Sequence, residues 1–140
     1  MLQKQRTNFN AMKTFLTILI ITFFITPVYA GELDGKGLEC TLVENPLNFG
    51  PKYYLFDNGK VVQSYVDNST PLRIKRDTYQ DDYEATVDAI TWSNSYTLDR
   101  KTLKLSDSMG METQFYYCQV MTPEEIESIL QKQIEALKEG

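Results

Sequence analysis

Ile90 to Leu105 reads ITWSNSYTLDRKTLKL, and its apolar residues fall into line only as three tightly connected antiparallel strands. A three-residue loop at Ser93, Asn94 and Ser95 sets Trp92 opposite Tyr96 and Ile90 opposite Leu98. A second turn over Asp99–Thr102 then sets Leu98 opposite Leu103 and Tyr96 opposite Leu105. Directly paired residues share a face, so Ile90, Leu98 and Leu103 form one predicted row, and Trp92, Tyr96 and Leu105 the next. Thr91, Thr97, Thr102 and Lys104 fall outside those rows, as a solvated second face requires. A slip by one residue would carry Trp92 and Leu98 into water.

Beyond this meander, Ser106–Met111 reads as a loop and Thr113–Val120 as a strand carrying Cys118. In that strand Phe115 and Tyr117 alternate with Gln114, Tyr116 and Cys118, so the Phe115 and Tyr117 side is the decidedly apolar one. Thr122-Pro123-Glu124-Glu125 then starts a helix: threonine as N-cap, proline at the first helical position, glutamate at the third. The helix is predicted over 123–138. Ile126, Ile129, Leu130, Ile134 and Leu137 recur at helical spacing as one stripe, which docks against the sheet or pairs with another chain.

On the N-terminal side, KYYLF and VVQSYV flank Asp57-Asn58-Gly59-Lys60, and Asn-Gly supplies the positive φ angles of a type I′ hairpin turn. This pairing sets Phe56 opposite Val61 and Asp57 opposite Lys60. Apolar residues occur at both parities: Tyr54, Phe56 and Val61 on one face, Tyr53, Leu55 and Val62 on the other. Both faces of this hairpin are therefore expected to be covered. Leu38–Val43 forms a first strand ended by Asn45-Pro46, after a glycine-rich lead-in at 31–37. Asp67–Pro71 is a loop. Leu72, Ile74 and Tyr79 mark another strand whose outward Arg73, Lys75 and Arg76 are expected to pair with acids of the 83–92 strand.

The N-terminal segment points to export. Met12 and Lys13 are a short basic start, Phe15–Ile25 is an apolar run, and Val28-Tyr29-Ala30 supplies the small residues of a cleavage site, so a signal peptide over 1–30 is predicted, with Gly31 as the new N-terminus. The preceding Met1–Ala11 is either a long leader start or lies upstream of a true start at Met12. The apolar run is shorter than the ~18 residues a spanning helix needs, so no membrane association is expected after cleavage. A periplasmic or secreted location follows. Removal of residues 1–30 takes away Lys4, Arg6 and Lys13 and no acids, leaving 11 basic against 19 acidic residues, net −8. Such a charge disfavours nucleic acid, whose affinity rests on lysine and arginine at phosphates, and favours a cationic protein. No sequence feature sets the oligomeric state.

Cys40 and Cys118 are the two cysteines, and in an oxidising compartment an even pair in a small domain reads as a disulfide. The chain-entropy relation gives a closed loop of this length about 4 to 5 kcal/mol before any native strain. Two isolated cysteines and no histidine supply neither a metal set nor a redox motif, and no cofactor is expected. The carboxylates Asp81, Asp82 and Glu84 lack the glycine-centred spacing of a calcium loop. As a glycosidase pair Asp82 and Glu84 would sit side by side on one strand, not across a cleft, which makes an enzyme built on Asp81, Asp82 and Glu84 the minor alternative. No nucleophile stands in a recognisable setting, and no catalytic residue is assigned.

The signal peptide, the opening GKGLECTL at 35–42, the Ile90-Thr91-Trp92 core with YTLDRKTLKL at 96–105, and the late Cys118 together resemble small exported bacterial proteins of uncharacterised function. The resemblance spans most of 35–118 and implies a fold core, with no activity attached. A fainter similarity is to the periplasmic C-type lysozyme inhibitors, small β-barrels whose disulfide ties early and late strands. Their Ser-Gly-containing inhibitory loop is absent from this chain, so no inhibitory residue is carried over.

The expected architecture is mainly β: a small antiparallel barrel or sandwich of about seven to eight strands with one C-terminal amphipathic helix. The expected function is binding. Asp81, Asp82 and Glu84 are the candidate contacts for a cationic macromolecule; Tyr53, Tyr54, Trp92 and Tyr96 are the candidate lining of a cavity for an apolar or aromatic small molecule.

Overall fold

The computed structural model describes residues 33–140. The predicted signal peptide lies outside them. Nine strands follow in order: β1 (Gly37–Leu42), β2 (Lys52–Asp57), β3 (Lys60–Asp67), β4 (Arg73–Thr78), β5 (Glu84–Ala85), β6 (Ala89–Trp92), β7 (Tyr96–Asp99), β8 (Lys104–Asp107) and β9 (Gln114–Met121), and one helix, α1 (Pro123–Glu139), closes the chain. All neighbouring strands are antiparallel in one sheet of order β4-β3-β2-β1-β9-β8-β7-β6-β5. Two meanders are thus zipped together by β1 and β9.

The sheet is strongly curled into a half-barrel. Four strands separate β2 from β6, which in a flat sheet would hold them roughly 24 Å apart at the usual strand spacing. Instead the rings of Phe56 on β2 and Trp92 on β6 lie with centroids 5.8 Å apart. The concave face is filled by Leu38, Tyr54, Phe56, Ile90, Trp92 and Leu98 with their neighbours, and this is the main core. Burying these side chains is what stabilises the curl.

Turn chemistry sets the hairpins. Asn58 and Gly59 have φ of 50° and 76°, and the β2–β3 register places Phe56 opposite Val61 and Asp57 opposite Lys60 as the sequence predicts. Ser93 and Asn94 also take positive φ, and Trp92 stands opposite Tyr96 with Ile90 opposite Leu98. The next turn departs from expectation. Asp99 Oδ1 accepts from the backbone N–H groups of Lys101 and Thr102, the Asp99 carbonyl accepts from the Leu103 N–H, and Leu103 sits at φ 57° inside the turn. The longer turn shifts β8 by two residues, so Leu98 faces Leu105 and Tyr96 faces Asp107. A shift of two preserves the buried face, so Leu105 remains in the core while Leu103 does not.

Cys40 and Cys118 are disulfide-bonded and directly opposite each other on β1 and β9, with Cα atoms 4.0 Å apart. The bridge therefore joins neighbours within one sheet; it does not span two sheets. It also corrects the β9 face. Cys40 lies in the concave core, so its partner's parity points inward, Tyr116 is buried, and Phe115 and Tyr117 are left exposed on the convex side.

Helix α1 covers part of that convex side, packing on β1, β3 and β4. Thr122 Oγ1 accepts from the Glu125 N–H, the N-cap bond predicted from the sequence. Ile126 and Leu130 meet Tyr53, Leu55, Val66 and Ile74 in a second core, so the β2–β3 hairpin is covered on both faces. The expected charge pairing between the 72–79 and 83–92 strands does not form, because β4 and β5 occupy opposite edges of the sheet. Arg73 pairs instead with Asp67, and Arg76 with Glu127 of the helix.

Candidate interaction surface

The acidic segment around Asp81 gains its position from the chain between β4 and β5, which crosses the open side of the half-barrel. Its backbone continues alongside β3: the N–H groups of Tyr79 and Tyr83 donate to the carbonyls of Val61 and Gly59, each at 2.9 Å. Its aromatic side chains act as plugs. Tyr79 meets Tyr96 edge-on at 5.4 Å between centroids, and Tyr83 meets Phe56 at 5.2 Å. With the aromatic residues turned inward, Asp81, Asp82 and Glu84 are left in water.

Two separate stretches converge here on the β2–β3 turn. Lys60 Nζ lies 2.6 Å from Asp82 Oδ1 and donates to the Gln80 carbonyl at 2.8 Å. Asp34 Oδ1 accepts from the Gly59 N–H at 3.1 Å and from the Tyr83 hydroxyl at 3.3 Å. Asp57, at the end of β2, is exposed beside them. Asp82 and Lys60 are solvent-accessible, so their pair is held weakly and is screened by salt. Asp34 was not legible as part of this group, because nothing in a glycine-rich stretch signals that Gly35 N–H will bond the Phe56 carbonyl and Phe56 N–H the Lys36 carbonyl.

The four aromatic residues expected to line a cavity divide between two faces. Tyr53 belongs to the helix-covered core, where burial and then the nearby Glu39 carboxylate push its hydroxyl up to about 12. Tyr54, Trp92 and Tyr96 come together on the concave face. Trp92 stacks on Tyr96 at 5.2 Å and lies 5.5 Å from Tyr54, so the rings fill the space between them. Burial raises the Tyr54 and Tyr96 hydroxyls well above the ordinary phenol range. Asp107 joins this group as a buried carboxylate whose Oδ1 accepts from the Met109 N–H at 3.0 Å. It escaped sequence reasoning because only the two-residue register shift pairs it within the sheet, opposite Tyr96, on the face that Leu105 already occupies.

Among the described residues no group of three or more histidine, cysteine or carboxylate side chains is placed to hold a metal ion, and no helix is long and apolar enough to cross a membrane. No family model, curated protein or solved structure matches the chain.

Proposed function

We propose that the exported domain acts by non-covalent binding of a cationic macromolecule and performs no catalysis. One observation carries this reading: Asp34, Asp57, Asp81, Asp82 and Glu84 gather from three segments at one end of the half-barrel, on a backbone tied down by hydrogen bonds. Carboxylates held at a rigid mouth present a field that a flexible acidic tail would dilute. The net charge of −8 for residues 31–140 extends that field and accelerates encounter with a basic partner such as a lysozyme-like wall hydrolase.

Binding to a basic protein such as lysozyme is then expected to weaken severalfold from low to physiological ionic strength. Charge reversal at Asp81, Asp82 and Glu84 should weaken it more than reversal at Glu135 and Glu139 on the helix. Salt-independent binding, or equal effects of the two sets, would remove the mouth from the reading, and turnover of a substrate abolished by Asp82→Asn would replace it with an enzyme.

A further inference from the structure

At the opposite end of the half-barrel the surface changes character. The β1–β2 and β8–β9 loops lie side by side there, because β1 and β9 are neighbours and the Val43 N–H donates to the Phe115 carbonyl at 2.9 Å. Together they expose Val43, Leu47, Phe49, Met109, Met111 and Phe115, with Leu47 74% and Phe49 60% accessible. Monomeric domains seldom leave so many large apolar side chains together in water unless the surface binds something.

The loops also carry a definite charge. Neither 43–51 nor 108–113 contains a lysine or arginine, while Glu44 and Glu112 both line a groove of about 530 Å³ that runs between Leu42, Val43 and Phe115. Lys104, the one basic residue lining it, holds its ammonium 4.6 Å from the centre of the Phe115 ring, so this aromatic face already serves as a cation seat. An anionic lipid surface would meet the two carboxylates and no cation in either loop. A second copy of the chain would bring like charges together. What complements the groove is an apolar segment with interspersed lysine or arginine.

We propose that the β1–β2 and β8–β9 loop end is a docking surface for an amphipathic basic segment of another protein. It rests on the reading that the partner is cationic, and goes beyond it by locating the apolar contacts away from the acidic mouth. Carboxylates at Glu44 and Glu112 receive the basic side chains, and Leu47, Phe49 and Met111 cover the apolar ones.

The test is amide chemical-shift mapping of the disulfide-bonded exported protein, titrated with a synthetic peptide of alternating leucine and lysine. Shifts concentrated at 43–51 and 108–115 are expected, and Phe49→Ser with Met111→Ser, both at exposed positions, should weaken binding about tenfold, the scale for two truncated anchor contacts. A leucine–glutamate peptide and phosphatidylglycerol vesicles should leave the spectrum unchanged; shifts at the loops with either would overturn the proposal. Shifts confined to Asp34, Gly59 and 81–84 would overturn it while leaving the acidic mouth as the binding surface. No shift anywhere would overturn both.

Discussion

Trp92 and Tyr96 lie directly opposite each other on β6 and β7 and stack with ring planes 5° from parallel. With Trp92 fully buried and Tyr54 and Phe56 against its other sides, this pair joins the two halves of the curled sheet. Trp92→Ala is expected to destabilise the domain by about 3 to 5 kcal/mol, the range for large aromatic truncations in cores. Urea unfolding measures it, and a loss below about 1 kcal/mol would show that the indole is not a core element.

The Tyr54 hydroxyl and the Trp92 Nε1–H are buried without a hydrogen-bond partner among the described residues. A buried hydroxyl lacking a partner costs free energy, so removing it relieves that cost while the ring packing stays. Tyr54→Phe should therefore leave stability unchanged or raise it by up to about 1 kcal/mol. A loss of more than about 1 kcal/mol in thermal or urea unfolding would mean that the hydroxyl is bonded in solution.

Gly37 opens β1 directly beneath α1. A Cβ there would overlap Ile126 Cδ1 and lie 3.1 Å from both Leu55 Cδ2 and the Tyr54 carbonyl oxygen. Gly37→Ala should cost about 1 to 3 kcal/mol by overpacking the helix–sheet contact. Adding Ile126→Val removes the overlapping methyl and should recover part of that loss, which a double-mutant cycle would detect as coupling. Strict additivity would place the strain at the Tyr54 backbone.

Alkaline pH should unfold the domain. Tyr53 is raised from 10.0 to about 12, by burial first and then by Glu39, and burial raises Tyr54, Tyr79 and Tyr96 in the same direction. A phenol whose folded pKa lies above its unfolded value contributes stability that is fully present below pH about 10 and is lost as pH rises through the folded value. The phenolate absorbance of these buried tyrosines should consequently appear in one cooperative step coincident with loss of β-sheet circular dichroism. Independent titration of these tyrosines in a still-folded domain would contradict their burial.

Local chemistry made most of the elements legible. Asn58-Gly59 specified a two-residue turn, Thr122-Pro123 a helix start, and the alternation around Trp92 a hairpin whose register follows from its loop. Each is decided within a few residues by φ preferences, capping or side-chain period. The turn after Asp99 was harder because its length depends on whether Leu103 adopts a left-handed conformation, and an aliphatic residue carries no sequence sign of doing so.

Longer-range relations lay beyond the sequence. Periodicity shows that β4 and the 83–92 segment carry opposite charges, but only the sheet order, with β1 zipped to β9, sends them to opposite edges. The same closure places Cys118 opposite Cys40, turns Tyr116 inward and strands Phe115 and Tyr117 on the convex side. Composition alone determined that the chain is acidic and without histidine. Gathering Asp34 with Asp81 and Asp82 at one end, and the apolar loops at the other, required the curl. That curl is driven by burial of side chains far apart in sequence, a free energy that no local window contains.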